Sequence, residues 1–265
     1  MSTIADSFAL RLGRALLSVR PAPLAVAIKR LLFLRRRVIT TPAGTFWIDP
    51  ASDAGQRVAT HGHYDVATES LLARFLRPGD TFVDVGANEG FICVPAARLT
   101  GPTGRVVAVE PQLRLQPVLQ RNFALNTVRV ETHAVAISDH AGTAELQLAP
   151  DMNNSSTGFV TATRYPLKKQ SIEILTLSAF LARLAIDSPF VLKMDIESWE
   201  HEAILGSPEI FREQRVRALF LELHPNLLQQ RGLDPAAIPN FLTSCGYSHA
   251  PDTRGLVWIP AAATP

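Results

Sequence analysis

The sequence predicts an α/β protein of Rossmann-like type, with a mostly parallel sheet and helices on both faces. Three observations lead there. Thr81 to Val85 is a short apolar run broken by one acid, Asp84; Gly86 and Gly90 follow, and Phe91 to Leu99 then reads as the start of a helix. Strand, glycine turn and helix in that order open a nucleotide-binding α/β unit. About twenty residues on, Arg105 to Val109 is a second buried-looking strand that ends in Glu110-Pro111, the spacing at which such units place an acid. Two further apolar runs, Phe190 to Met194 and Val216 to Leu221, also end in acids.

A chain of 265 residues, 47% apolar and 19% charged, can bury a large core and belongs with ordinary globular proteins rather than disordered or fibrous ones. One domain over 64–265 with an N-terminal extension over 1–63 is expected. Two cysteines, Cys93 and Cys245, make neither a disulfide framework nor a metal-binding cluster, and no metal site is assigned. The net charge of +2 is unevenly spread: residues 1–40 hold eight Lys/Arg against one acid, which gives +7 there and −5 for the rest. No run of about eighteen uncharged apolar residues marks a membrane span. Ala15 to Ile28, interrupted by Arg20, Pro21 and Pro23, is a poor signal-peptide core. A cytoplasmic protein is expected.

Residues 8–37 read as two helices. Phe8, Leu12, Ala15 and Leu16 recur at helical spacing, Pro21-Ala-Pro23 breaks the run, and Leu24 to Leu34 is a second apolar stretch ending in Arg35–Arg37. Two arrangements fit: peripheral contact of residues 1–40 with an anionic membrane, or packing on the core with the cations at the favourable helix end. Val38–Thr41 and Thr45–Ile48 form a hairpin around Pro42-Ala-Gly44. Residues 50–63 are polar and read as loop, with His61 and His63 as solvated side chains or a metal-binding pair. Tyr64 to Leu76 is an amphipathic helix stopped by Pro78-Gly79. After Pro111, Gln112 to Asn126 is a helix; its Asn122 and Asn126 are either caps or ligands near a cofactor. Val128–Ser138 is the third strand and Ala144–Leu148 another. Asp151–Gly158 is polar and suits a lid or substrate loop. Ile172–Leu177 is a strand, Ser178–Leu184 a helix, and Pro235–Ser244 a helix ending at Gly246. Tyr247–His249 and Gly255–Ile259 form a closing antiparallel hairpin. The tail Ala261–Pro265 is expected to fray.

The chemistry lies at strand ends. A dinucleotide site wants glycines at 88 and 91, where this chain has Asn88 and Phe91, so the pyrophosphate cradle of an NAD-dependent oxidoreductase, the alternative enzyme class, is absent. What stands instead is Asp84-Val-Gly86-Ala87-Asn88-Glu-Gly90. Gly86 permits a sharp turn and close approach of a ligand. Glu110 is placed to accept hydrogen bonds from both hydroxyls of a ribose. An acid-rich turn suits a cationic sulfonium cofactor better than a phosphate. Asp195 and Glu197 end the strand beside that of Asp84, and Glu222 and His224 end the next, so these acids are expected to crowd one crevice and raise one another's pKa.

The set Phe82-Val-Asp-Val-Gly-Ala-Asn-Glu-Gly90, Val109-Glu-Pro111, Ala134-Val-Ala-Ile-Ser138, Leu192-Lys-Met-Asp-Ile-Glu197 with Glu200, and Leu221-Glu-Leu-His-Pro225 resembles the FkbM family of methyltransferases in content and order, over roughly residues 64–225. The resemblance implies a class I methyltransferase fold with a seven-stranded sheet and S-adenosyl-L-methionine as cofactor. The reaction implied is O-methylation, often of a sugar or polyketide hydroxyl, with a small-molecule or glycan acceptor. It places Asp84, Gly86, Ala87, Asn88, Gly90, Glu110, Pro111 and Ala136 at the cofactor, Ala136 beside the adenine. Asp195, Glu197 and His224 are the candidate catalytic residues, with His224 as a neutral imidazole able to take a proton. The family usually has Gly after Asp-x-Glu; here Ser198-Trp199 follow, and Trp199 either shapes the acceptor pocket or packs under a helix. No Asn/Asp-Pro-Pro-aromatic motif for amino-group methylation of nucleic acid is present. A catalytically inactive membrane-surface adaptor is opposed by the intact Asp84, Gly86, Glu110 and Asp195.

Overall fold

The computed structural model of the protein describes residues 4–148 and 168–261. The basic segment forms the two expected helices, α1 (Ile4–Leu17) and α2 (Ala22–Leu31), with Pro21 at the break. Ala9, Leu16, Ala25 and Leu34 close on Ala51 as a small core of their own, and Lys29 is ion-paired with Asp49. The segment therefore packs on the protein along this stripe. The hairpin β1 (Arg37–Thr40) and β2 (Thr45–Ile48) is antiparallel, with Thr40 opposite Thr45.

Residues 50–63 are not the expected loop. Asp53–His61 is a helix, α3; Ser52 Oγ accepts the Gly55 N–H at 3.0 Å and Gly62 ends the helix at φ 77°. Its buried side uses small and polar residues: Ala54, Gly55, Val58, and Gln56, whose amide donates to the carbonyls of Leu10 and Pro50. No apolar stripe announces such a helix. α4 (Val66–Phe75) follows, with the Asp65 carboxylate accepting from the N–H groups of Ala67 and Thr68.

The main alternation then runs β3 (Thr81–Val85), α5 (Cys93–Thr100), β4 (Arg105–Val109), α6 (Gln116–Leu125), β5 (Glu131–His133), β6 (Val135–Ser138), β7 (Gly142–Leu148), β8 (Lys168–Thr176), α7 (Leu177–Arg183) and β9 (Phe190–Met194). After it come α8 (Glu200–Leu205), α9 (Pro208–Arg212), β10 (Val216–Leu221), α10 (Pro225–Gln230), α11 (Ala237–Ser244), β11 (Tyr247–His249) and β12 (Val257–Pro260). The helix expected from Gln112 begins at Gln116; ahead of it the Glu110 side chain accepts the Gln112 N–H at 2.9 Å. The strand expected over Val128–Ser138 divides at Ala134: β5 pairs with β4, and β6 leaves to pair with β8. The short helices α9 and α10, both begun by a proline, were not expected. The expected loop Asp151–Gly158 lies outside the described residues, as does the tail beyond residue 261.

Seven strands form the main sheet in the order β11-β12-β10-β9-β3-β4-β5. β10, β9, β3, β4 and β5 are parallel, and β12 runs antiparallel to both β10 and β11. A second sheet has the order β6-β8-β7. β3 and β9 are neighbours from which the chain builds outward in opposite directions, and a crevice opens at such a reversal beyond the carboxyl ends of the strands. The central strands are buried on both faces: Phe82 and Val106 join one core cluster, Val83, Val85, Val107 and Val109 the other. In register, Asp84 lies opposite Lys193 and Val85 opposite Met194. Among the described residues no helix is long and apolar enough to cross a membrane.

Candidate active site

A cleft of about 870 Å³, open mouth included, lies at this reversal. Gly86, Ala87 and Asn88 after β3, Glu110 and Pro111 after β4, Ala136 of β6, and Asp195, Glu197 and Trp199 after β9 all line it. Val135, Ile137 and Leu146 make one wall apolar.

Gly86 is in the left-handed region at φ 90°, and a Cβ there would stand 1.9 Å from the Asp195 carbonyl oxygen. The close approach of the two turns by itself demands a glycine here. Gly90, at φ 81°, does not line the cleft; a Cβ there would meet the Phe123 ring at 2.6 Å, so it seats α5 against α6. Asn88 is at φ 50°; its N–H donates to Glu110 Oε2 at 2.9 Å, while its own Oδ1 is buried without a hydrogen-bond partner. Glu110 Oε1 accepts the Gln112 N–H. Burial pushes the Glu110 carboxyl above the usual range and these N–H groups oppose it. The Gln112 side chain bonds the same carboxylate, which still has acceptor capacity for a further donor.

Asp84 is fully buried and is not on the cleft wall. Its partner is Lys193, a residue the sequence reading passed over: Nζ lies 3.0 Å from Asp84 Oδ1 and 3.9 Å from Asp195 Oδ2, and donates to the Gly86 carbonyl at 3.2 Å. Burial acts to lower the Lys193 pKa, but Asp84 and then Asp195 outweigh it and hold the ammonium well above the ordinary lysine value. The expected crowd of like charges is therefore divided, with a cation between Asp84 and Asp195. The Cys93 thiol also donates to Asp84, at 3.2 Å. Tyr64, one residue before the Asp65 cap of α4, lines the cleft and stacks on Phe91 with centroids 5.4 Å apart. Burial pushes its phenol up to about 12, so it stays a neutral donor.

The three candidate catalytic residues meet. His224 Nε2 is 3.9 Å from both Asp195 Oδ1 and Glu197 Oε2, and Nδ1 is 3.7 Å from Glu200 Oε1. Glu200 is the largest influence on this imidazole, as an ionic contact too long for a hydrogen bond. Burial opposes it, Glu197 and Asp195 add to it, and the pKa is pushed up to about 9. Its ring of carboxylates favours the protonated imidazole, against the expected neutral one. Burial, with help from Asp195, Glu200 and Glu222 and against His224, pushes Glu197 up to about 7. Ser198 adopts φ 79°, a conformation glycine takes freely and other residues at a cost of about 1–2 kcal/mol. Trp199 lines the cleft with the Arg231 guanidinium 4.1 Å over its ring.

Asn126 is the C-cap of α6, its Nδ2 donating to the Asn122 carbonyl at 2.8 Å, and neither asparagine lines the cleft. Asn122 Oδ1 accepts the Trp47 N–H at 2.7 Å and Asn126 Oδ1 the Thr45 N–H at 3.0 Å. They join α6 to the outer edge of β2, whose backbone groups need partners. Arg36 grips Glu89 with two bonds of 2.8 and 2.9 Å, which ties the N-terminal extension to the glycine turn. His61 ends α3, and His63 Nδ1 pairs with Glu69 at 2.6 Å.

A strand order reversing at β3, an antiparallel closing hairpin and a cleft between a ribose-type acid and an acidic rim give the molecule the build of a class I methyltransferase. Residues 84–248, more than half of the chain, match the Methyltransferase FkbM domain. The chain belongs to that family, and S-adenosylmethionine is its methyl donor. No curated protein matches it in sequence. Among solved structures it is similar to an S-adenosylmethionine-dependent O-methyltransferase from Thermotoga maritima, 15% identical over 80% of this chain and 63% of that one, TM-score 0.41. It is also similar to a precorrin-6y C5,15-methyltransferase from Geobacter metallireducens, 15% identical over 68% and 70%, TM-score 0.37. A transferase from Pyrococcus horikoshii is 19% identical, TM-score 0.31, over 39% of this chain; the match spans 37% of that protein's length.

Proposed function

We propose that the protein transfers a methyl group from S-adenosylmethionine to a hydroxyl of a sugar, glycan or natural-product acceptor. The observation that carries this reading is the division of the cleft. One side is apolar and ends in Glu110; the other ends in Asp195 and Glu197 with His224 beside them. The unpartnered Asn88 Oδ1 and the remaining lone pairs of Glu110 suit the donors of a nucleoside, and Ala87, Pro111 and Ala136 suit its flat base. Asp84 and Gly90 act behind the wall, Asp84 by fixing Lys193 and Gly90 by seating α5, while Gly86 lines the cleft at the turn. Bound S-adenosylmethionine supplies an electrophilic methyl group on a cationic sulfur. The chain's part is to hold an acceptor oxygen in line with it, the largest expected source of rate. Asp195, Glu197 and His224 orient the hydroxyl, and a carboxylate among them takes its proton.

Incubation with labelled S-adenosylmethionine and a panel of sugars, lipids and small natural products tests the reading. Label is expected in an alkali-stable ether on a hydroxylated acceptor. Binding of NAD but not S-adenosylhomocysteine in calorimetry would overturn it. We also propose that the N-terminal helices rest on an anionic lipid surface. Leu31 and Phe33 are 76% and 75% exposed beside Arg30 and Arg35, in a segment of net charge +7, which complements acidic headgroups.

A further inference from the structure

We propose that Asp195, Glu200 and His224 form a binding site for one divalent metal ion at the acceptor end of the cleft. The three come from separate places: Asp195 follows β9, Glu200 opens α8 and His224 precedes α10. The left-handed turn at Glu197 and Ser198 folds the chain back so that Asp195 and Glu200 face the same imidazole. One ligand-type atom from each lies within 4.8 Å of the others. The contacts of 3.9 Å to Asp195 and 3.7 Å to Glu200 are too long for direct hydrogen bonds. The 3.7 Å contact of Nδ1 with Glu200 is close to the separation, about 3–4 Å, of two donors each about 2.1 Å from a shared ion; the 3.9 Å contact of Asp195 is to Nε2 on the other edge of the ring, so Asp195 joins the set through the wider 4.8 Å grouping.

Acidic residues at a rim are common without any ion, but this group has a second feature. The Glu200 side chain is 0% exposed; Oε1 accepts the Ile196 N–H at 2.7 Å, and Oε2 is buried with no hydrogen-bond partner. His224 Nδ1, which faces this carboxyl, is likewise buried and unpartnered. A buried carboxylate left half-satisfied is costly, and a cation seated between Glu200 and His224 satisfies both by displacing the imidazole proton, which metal binding releases. The local charge points the same way. Asp195, Glu197, Glu200 and Glu222 bring four carboxyl groups together, against Lys193, which lies 3.0 Å from Asp84 and 3.9 Å from Asp195. Two carboxylates and one imidazole form a mixed oxygen and nitrogen set suited to a hard or borderline ion of the Mn²⁺ class. Such an ion would hold and polarise the acceptor oxygen, a role that rests on the methyl-transfer reading; the binding site itself does not.

Mn²⁺ titration into the chelator-stripped full-length protein, followed by electron paramagnetic resonance, tests this without turnover. The expected result is one bound ion per chain. Glu200→Gln, which keeps the acceptor for Ile196, and His224→Gln should each weaken Mn²⁺ at least tenfold while binding S-adenosylhomocysteine as the wild type does. Absence of a stoichiometric site up to millimolar Mn²⁺, or wild-type Mn²⁺ affinity in both variants, overturns the proposal. With S-adenosylhomocysteine binding intact, such a failure removes the metal site alone. Loss of nucleoside binding in the wild type would remove the methyl-transfer reading instead.

Discussion

Replacing Lys193 by methionine removes the buried cation between Asp84 and Asp195 while nearly conserving volume. Lys193 and Asp84 stand opposite in register on adjacent strands, with side chains 11% and 1% exposed and charged atoms 3.0 Å apart. In Lys193→Met, Asp84 keeps the Cys93 thiol as donor and loses its counter-charge; the Gly86 carbonyl loses its donor as well. Removing one member of a buried pair costs about 3–5 kcal/mol, a large share of the roughly 5–15 kcal/mol by which a domain is stable. With a urea slope of about 3 kcal/mol/M, the unfolding midpoint should fall by about 1 M or more. Adding Asp84→Asn removes the stranded charge at constant size, so the double variant should recover half of the loss or more. The assay is urea unfolding of the four proteins without cofactor, read by far-ultraviolet circular dichroism. A single-variant loss below about 1 kcal/mol, or a double variant as unstable as the sum of the singles, would refute the reasoning that this pair is held together by mutual need.

Glu110→Ala should weaken S-adenosylhomocysteine binding about 10- to 100-fold in calorimetry, since hydrogen bonds to a charged group are worth about 1.5–3 kcal/mol; unchanged affinity would count against the ribose role. Asp195→Asn should cut turnover by about 10²–10⁴ with nucleoside affinity within a few-fold of wild type, and full turnover would remove Asp195 from the reaction. Cys93 is buried, and burial with Asp84 beside it pushes its thiol well above the ordinary value. Ellman's reagent should therefore label one thiol per native chain, Cys245, and two in denaturant; two in the native protein would contradict the burial. Leu31→Glu with Phe33→Glu should reduce sedimentation with anionic liposomes several-fold and leave neutral liposomes unaffected. Equal binding by this variant would dismiss the lipid surface.

The central strands were legible because parallel strands buried on both faces are continuous apolar runs, and Phe82, Val83, Val106 and Val107 read that way. α3 was not, because Gly55, Ala54 and Gln56 bury its inner side by close backbone approach and hydrogen bonds rather than by an apolar stripe. Val128–Ser138 looked like one strand because no glycine or proline interrupts it; the division is set by which neighbour each half finds, β4 or β8. The site was legible wherever an acid ends a strand, as at Glu110, Asp195 and Glu197. Lys193 was not, since its meaning depends on standing opposite Asp84, and register between strands more than a hundred residues apart is written in no local pattern. His224 was found, but its charge follows from three carboxylates brought from other elements.

Gly86 shows how a correct residue can be chosen for an incomplete reason. From sequence alone the glycine is there to let a ligand approach. In the structure the space of its missing Cβ belongs to the Asp195 carbonyl, and its own carbonyl receives Lys193. The turn that carries Asn88 toward Glu110 and the turn that carries Asp195 toward His224 are thereby pressed together at the sheet reversal. Lys193 spans the same gap from below, between Asp84 and Asp195. On the proposed methyl transfer, this one contact and one ion pair would hold the Glu110 side and the Asp195 side of the cleft at a fixed separation, which an in-line transfer requires.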